Sequence, residues 1–290
     1  MANNILHSIG KYASLVKISH TIFALPFAII GFHLALSSQS FEFDWQKFLL
    51  IILCMVFARN SAMSFNRIAD KKYDEKNPRT QDREIPAGKV SVRNAIIFLS
   101  ANIVLFVGCT YFINPLVFYL SPVALATIMV YSLTKRFTYL CHFVLGLGLS
   151  LAPIGAYLVV TGVFDVLPLM LSFAVLFWVA GFDIIYALND IAFDQEHHLK
   201  SVPARFGIRN SLIISALVHV VSMVFIITAG MLYSGGIFFW IGAFVFGFFI
   251  IYQHVIVKPS DLSRINLAFF TLNGFSSLIF LIFFLLDYYF

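Results

Sequence analysis

Asn66, Asp70 and Asp74 recur at every fourth position, and Asp183, Asp190 and Asp194 follow at offsets of seven and four. On a helix a four-residue step turns by about 400°, so each set would stack its oxygen-bearing side chains on one face. Carboxylate and amide oxygens without a thiolate suit a hard cation, and they point to Mg²⁺ rather than zinc. The expected metal ligands are therefore Asn66, Asp70, Asp74, Asp190 and Asp194. Because Mg²⁺ keeps waters and shares its ligands with substrate phosphate, the implied substrate carries a diphosphate.

Basic residues surround both sets. The stretch from Asn66 to Gly88 is a polar island in a chain that is only 11% charged. Arg59 precedes Asn66 by two helical turns and shares its face. An arginine inside an apolar run is costly and marks a functional site, the alternative being a buried structural ion pair. Asn77-Pro78 should interrupt the helix, after which Arg79 and Arg83 are spaced for one face of a short helix. Their guanidinium forks suit phosphate oxygens, whereas Lys71, Lys72 and Lys76 read as ordinary membrane-edge charge. Asp183 lies inside an apolar run, one turn before Tyr186 and two before Asp190, with no Lys or Arg near it in sequence.

The elements that hold these groups are membrane helices. With 60% hydrophobic residues, 34 Phe and a mean hydropathy of +0.91, the chain is an all-α, polytopic membrane protein. Nine transmembrane helices are expected around a central cavity, at roughly 18–37, 48–66, 92–112, 115–133, 138–160, 166–188, 210–231, 235–256 and 264–287. No linker divides residues 1–290. An acidic motif follows span two and another follows span six, which suggests a weak internal repeat. With a cytoplasmic N-terminus, only Lys47 among the basic residues falls in an outer loop, so both motifs would face the cytoplasm. The formal charge of +5 reflects this topology and phosphate handling, not nucleic acid, since there is no soluble basic domain.

Secondary features have plainer readings. Residues 1–17 show no small-residue cleavage site and read as an interfacial lead. His20 and His33 read as packing residues, and Pro26 should bend the first span or be tolerated through its neighbours. Gly146, Gly148, Pro153 and Gly155 in span five either permit close helix packing or leave room for a ligand. Adjacent His197 and His198 point apart and read as surface residues. Cys54, Cys109 and Cys141 lie in apolar spans without a C-x-x-C pattern and read as small buried residues.

The two acidic motifs, with the intervening YSLTKRFTYL at 131–140, resemble the UbiA superfamily of intramembrane aromatic prenyltransferases over nearly the whole chain. The likeness is strongest to the 4-hydroxybenzoate polyprenyltransferase branch. It implies catalytic roles for Asp70, Asp183 and Asp190, with substrate contacts from Arg59, Asn66, Arg79, Arg83, Lys135, Arg136, Tyr186 and Lys200. Lys135 and Arg136 match the family's Lys-Arg loop, which implies contact with the diphosphate or an acceptor carboxylate. Lys200 matches a Lys-Ser pair. One departure is visible: the family commonly has Asp after the motif's Asn, and this chain has Arg67. That resembles a sub-branch associated with menaquinone synthesis by the futalosine route. Arg67 points about 100° from Asn66, which places it beside the column and predicts tolerance of Arg67→Asp.

The resemblance implies a Mg²⁺-dependent enzyme of the inner membrane that takes a polyprenyl diphosphate and a small aromatic acid, with no obligate protein partner. The acid expected first is 4-hydroxybenzoate, and 1,4-dihydroxy-6-naphthoate is the alternative. A transporter is the rival from another class. It requires acidic residues near the bilayer midplane and broken helices there, whereas these cluster at cytoplasmic helix ends beside basic loops.

Overall fold

The computed structural model describes residues 12, 14–16, 23–38 and 41–290. His20 and the basic residues of the lead, Lys11 and Lys17, lie outside the described residues. The helices in chain order are α1 (Leu25–Ser38), α2 (Trp45–Ala69), α3 (Lys71–Asp74), α4 (Val92–Tyr111), α5 (Pro115–Thr134) and α6 (Cys141–Thr161). They continue as α7 (Val166–Ala187), α8 (Ile191–Glu196), α9 (Val202–Tyr233), α10 (Ile237–Ile256) and α11 (Asn273–Tyr289). Among the described residues, eight helical segments are long and apolar enough to cross a membrane, and α1 is a shorter apolar helix. Pro26 occupies the first turn of α1, where no intrahelical donor is lost, so it does not bend the described helix.

An outward apolar surface and an aromatic interior follow from the composition. Ile96, Ile97, Val104 and Leu105 on α4 are exposed, as a lipid-facing helix requires. Inside, α7 packs against α6 and α9 and carries the fully buried Trp178. Its ring meets Phe27 of α1 at 5.6 Å and Phe246 of α10 at 5.3 Å, and Phe280 of α11 completes the cluster at 5.6 Å from Phe246. The Trp178 indole N–H donates to Asn273 Oδ1 at 3.0 Å, so the polar edge of this large side chain is satisfied within the core.

Acidic and amide side chains at one end of the bundle act as helix caps. Asp44 accepts from the Gln46 and Lys47 amides at the start of α2, Asn114 from Val117 at α5, and Asp165 from Leu167 at α7. The start of α10 is capped from a distance, by Asp287 accepting from the Gly236 and Phe239 amides. The acidic motifs gather at the opposite end, where capping does not explain them.

Both motifs interrupt their helices. Asp70 ends α2 at φ −92°, ψ 4°, and Asp190 closes a 3₁₀ turn (Leu188–Asp190) after α7 at φ −110°, ψ 5°. This sparsely populated bridge region is favoured at active sites. The expectation of continuous helical columns is therefore corrected. Asp74 lies on the separate helix α3, and Asp194 lies on α8. The seventh span also begins earlier than expected, at Val202, and is broken by Gly207 in a left-handed conformation (φ 74°) that only glycine adopts freely. The ninth opens into a wider π turn over Leu267–Leu272.

The small residues of the fifth span divide between the two uses the sequence left open. A Cβ on Gly146 would stand 2.2 Å from the Leu176 carbonyl oxygen, so this glycine lets α6 and α7 touch. Gly31 on α1 does the same against the Pro153 carbonyl oxygen, at 2.1 Å. A Cβ on Gly155 would meet nothing within 4 Å, and Gly155 borders the cavity described below. Gly31→Ala and Gly146→Ala should each destabilise the protein by about 1–3 kcal/mol through overpacking, while Gly155→Ala leaves it unchanged. Thermal melting of the detergent-purified variants checks this ranking, and equal melting temperatures for all three would contradict it.

Candidate active site

A cavity of about 1130 Å³ runs through the bundle from the motif end towards Ile113, Val117 and Phe164 at the far end. Its upper wall is apolar, formed by residues such as Met55, Leu120, Leu151 and Val159. Its floor is polar and includes Asn66, Asp70, Asp74, Asp183, Asp190 and Asp194. Seven acidic and seven basic side chains line it, so the pocket is close to neutral by itself.

The first motif keeps its central contact despite the break. Asn66 Nδ2 donates to Asp70 Oδ2 at 2.9 Å, because α2 remains helical through Ala69. Burial, with the charge of Asp74 beside it, pushes the Asp70 carboxyl above the ordinary carboxylate range, against the pull of Arg136. Asp74 accepts from Arg83 Nη1 on Oδ1 at 2.8 Å, while its buried Oδ2 has no hydrogen-bond partner among the described residues.

The second motif is held by residues remote in sequence. Arg79 Nε donates to Asp190 Oδ1 at 2.9 Å, and its Nη1 donates to the Tyr186 hydroxyl at 3.0 Å. Asn77 reinforces this bridge. Its Oδ1 accepts from the Arg79 amide at 2.9 Å and its Nδ2 donates to Asp190 at 3.3 Å. Tyr186 in turn stacks on Phe269 at 4.0 Å. Asp194, nearly fully buried, accepts from Ser201 Oγ at 2.8 Å and faces Lys135 Nζ at 3.4 Å. Burial would lower the Lys135 ammonium, but the acidic groups around it, Asp194 first and then Asp190 and Asp183 among them, together outweigh this and hold it above its usual value.

The Lys135–Arg136 turn thus serves both motifs, since Arg136 Nη2 lies 3.4 Å from Asp70 and 2.7 Å from the Ala69 carbonyl oxygen. Arg136 also sits over the Tyr73 ring at 5.5 Å. Arg59 is half-buried on the cavity wall. Arg67 is buried at 3% exposure, with Nη1 at 3.4 Å from Asn66 Oδ1 and Nε at 3.9 Å from Glu84, itself bonded by Ser14. It stands beside the column, as its spacing implies, but as an enclosed cation.

The expected metal set is gathered at one end of the cavity, but among the described residues no three acidic side chains already converge on a single point. The carboxylates are instead spread over ion pairs with Arg79, Arg83, Lys135 and Arg136. The donor set nonetheless fits Mg²⁺. Its atoms are all hard oxygens, Asp74 Oδ2 is unsatisfied, and the raised Asp70 carboxyl shows a cluster that another cation would stabilise.

Lys200 is not among the lining residues. Its Nζ donates to the Phe137 carbonyl at 3.2 Å and its backbone N–H to the Lys135 carbonyl at 2.6 Å, so it braces the Lys-Arg turn from outside. His142 was not anticipated. It is fully enclosed and its Nδ1 lies 2.7 Å from Asp183 Oδ2. An ionisable residue inside an apolar span was the available signal. Asn77 was read only as a helix interruption, and nothing local in sequence shows that it reaches Asp190.

Known proteins are similar to this chain in sequence and in fold. The 4-hydroxybenzoate octaprenyltransferase of Aliivibrio fischeri (strain MJ11) is 29% identical over 238 residues, which cover 82% of this chain and 83% of that one. The apo UbiA homologue from Aeropyrum pernix K1 superposes with a TM-score of 0.84 at 30% identity, over 92% of this chain and 98% of that chain. A UbiA homologue from Archaeoglobus fulgidus bound to GPP and Mg²⁺ has the same fold, with a TM-score of 0.70 at 21% identity over 96% and 99% of the two chains. Residues 24–279 match the UbiA prenyltransferase family, and the chain belongs to it.

Proposed function

We propose that this protein transfers a polyprenyl group from an allylic polyprenyl diphosphate to an aromatic hydroxy acid, with 4-hydroxybenzoate as the first candidate, in respiratory quinone synthesis. The observation that carries the reading is one cavity with a floor of paired carboxylates and basic side chains and an apolar wall running the length of the bundle. Naming of the Aliivibrio relative and the family match support the same class. The protein sits in the inner membrane as a multi-pass chain, with its N-terminus and motif end cytoplasmic, in accord with its basic residues.

Asn66, Asp70, Asp74, Asp190 and Asp194 would hold Mg²⁺, and Arg79, Arg83, Lys135 and Arg136 would turn from these carboxylates to the diphosphate. When bound, Mg²⁺ supplies positive charge that offsets the negative charge growing on the leaving diphosphate. The floor residues fix the diphosphate so that the allylic C–O bond lies against the open part of the cavity. The apolar wall takes the isoprenoid tail and excludes water, which would otherwise capture the allylic cation as an alcohol. Arg59 would receive the acceptor carboxylate, with Arg136 as the alternative cation on the cavity. A second acceptor, 1,4-dihydroxy-6-naphthoate, is favoured by Arg67, where the family commonly has an acidic residue and this chain has a cation buried against Glu84.

Asp70→Asn and Asp190→Asn should each lower turnover by about two orders of magnitude or more while the protein keeps its melting temperature, and a chelator should abolish activity until Mg²⁺ is restored. Assays of prenylated lipid in purified variants decide this. Full activity in either would remove the metal assignment.

Burial of Arg67 reverses the tolerance expected from its spacing. Arg67→Asp sets a new carboxylate beside Glu84 with no cation between them, so it should impair activity as strongly as Asn66→Ala. A variant carrying both Arg67→Asp and Glu84→Arg should recover part of the loss. Equal activity of Arg67→Asp and wild type would show that the enclosed pair is unimportant.

The acceptor is read by giving both acids to the same membranes with a polyprenyl diphosphate and weighing the products by mass spectrometry. Arg59→Ala should raise the KM for the preferred acid by roughly tenfold or more and leave that for the diphosphate unchanged. Preference for an acceptor without a carboxylate, or a change confined to the diphosphate, would exclude this role for Arg59.

A further inference from the structure

Asp183 and His142 form a buried polar pair that the diphosphate chemistry does not use. His142 stands at the second position of α6 with no exposed surface, and Asp183 stands on α7 with 12% of its side chain open. Asp183 lines the cavity, whereas His142 does not. The two ring nitrogens of His142 have different partners. The Val202 backbone N–H donates to Nε2 at 3.2 Å, so Nε2 must present its lone pair. The ring proton is therefore on Nδ1, where it donates to Asp183 Oδ2 at 2.7 Å. Val202 follows Ser201, which caps α9 and bonds Asp194, so the same turn fixes both the second motif and the histidine tautomer.

We propose that His142 is a positioning residue for Asp183, locked as the neutral Nδ1–H tautomer by the Val202 amide so that Asp183 presents its second oxygen, as an ionised acceptor, to the hydroxyl of the aromatic substrate. This rests on the prenyl-transfer reading above. A neutral histidine orients the carboxylate without cancelling its charge. As the allylic C–O bond breaks, its electron pair leaves with the diphosphate. The acceptor O–H proton passes to Asp183, and the released pair flows through the ring to form the new C–C bond. The substituted ring carbon then loses its own proton to the diphosphate while Asp183 returns the first proton to the ring oxygen. Aromaticity is restored and Asp183 is again a carboxylate.

Two half-reactions separate this role from a merely structural one. Diphosphate release without an acceptor reports ionisation, and formation of the prenylated acid reports acceptor activation. His142→Ala should lower kcat for the prenylated acid by roughly ten- to a hundredfold, with the KM for polyprenyl diphosphate and the acceptor-free release unchanged. His142→Asn, whose amide N–H reaches the place of Nδ1–H, should recover most of that loss. His142→Gln, whose amide lies nearer the place of Nε2, should not. The Asn and Gln comparison stands even if the Ala variant fails to fold. Equal activity of Asn and Gln, or parallel loss of acceptor-free release and product, would overturn the proposal. If wild type prenylates no hydroxy acid at all, the functional reading falls first; if it does and the Asn–Gln difference is absent, only the role of His142 falls.

Discussion

Carboxylates gathered at the end of an apolar bundle are the constraint on which the rest of this structure depends. Each of them would be expensive to enclose alone, and a lone buried charge is tolerated only with a partner. Four basic side chains from two loops supply the partners: Arg79 and Arg83 after the first motif, and Lys135 and Arg136 between spans. The pairs cross between the halves of the chain. Arg79 of the first loop reaches Asp190 of the second motif, and the Lys-Arg turn holds one residue of each motif. Neutralising the acids therefore also fixes α2, α5 and α7 relative to one another at the motif end.

Helix breaks at equivalent places make that crossing possible. If α2 ran on beyond Ala69, Asp74 would stay in line with Asn66, and Arg83 could not close upon it from the following loop. The turn at Asp70 moves Asp74 onto α3, and the 3₁₀ turn ending at Asp190 does the corresponding work for Asp194 on α8. Close packing elsewhere makes these irregular ends affordable. Gly31 and Gly146 bring α1 and α7 against the backbone of α6, and the aromatic cluster around Trp178 ties α1, α7, α10 and α11.

Those features differ in how far a sequence can show them. The apolar spans were legible because hydropathy acts over a whole helix, and the Asn66–Asp70 contact because it lies within one helix. The breaks at Asp70 and Asp190 were not legible, since four-residue spacing implies an unbroken column only while the helix continues. Arg79 was legible as a basic residue of the site, but its partner was not, because Asp190 is 111 residues away. Spacing gave the direction of Arg67 correctly and its burial not at all, because Glu84 and Ser14 enclose it from other segments. His142 escaped notice for the same reason, as its meaning lies in Asp183 and Val202.

Charge balance connects the resting site to its chemistry. With equal numbers of acidic and basic side chains around it, the cavity is matched to itself and not to a diphosphate. A diphosphate entering alone would draw Arg79, Arg83, Lys135 and Arg136 from their carboxylates and leave those acids uncompensated in a region of low dielectric. Entry of the anion together with a hard cation avoids that cost, because the cation meets the carboxylates that the basic residues release. The unsatisfied Asp74 oxygen and the raised Asp70 carboxyl are the places where the resting balance is already incomplete. Asp183 stands outside this exchange, since His142 is a neutral partner that a diphosphate has no reason to displace. One cavity can thus hold a set of ion pairs that rearranges when the diphosphate binds and a separate carboxylate whose orientation does not.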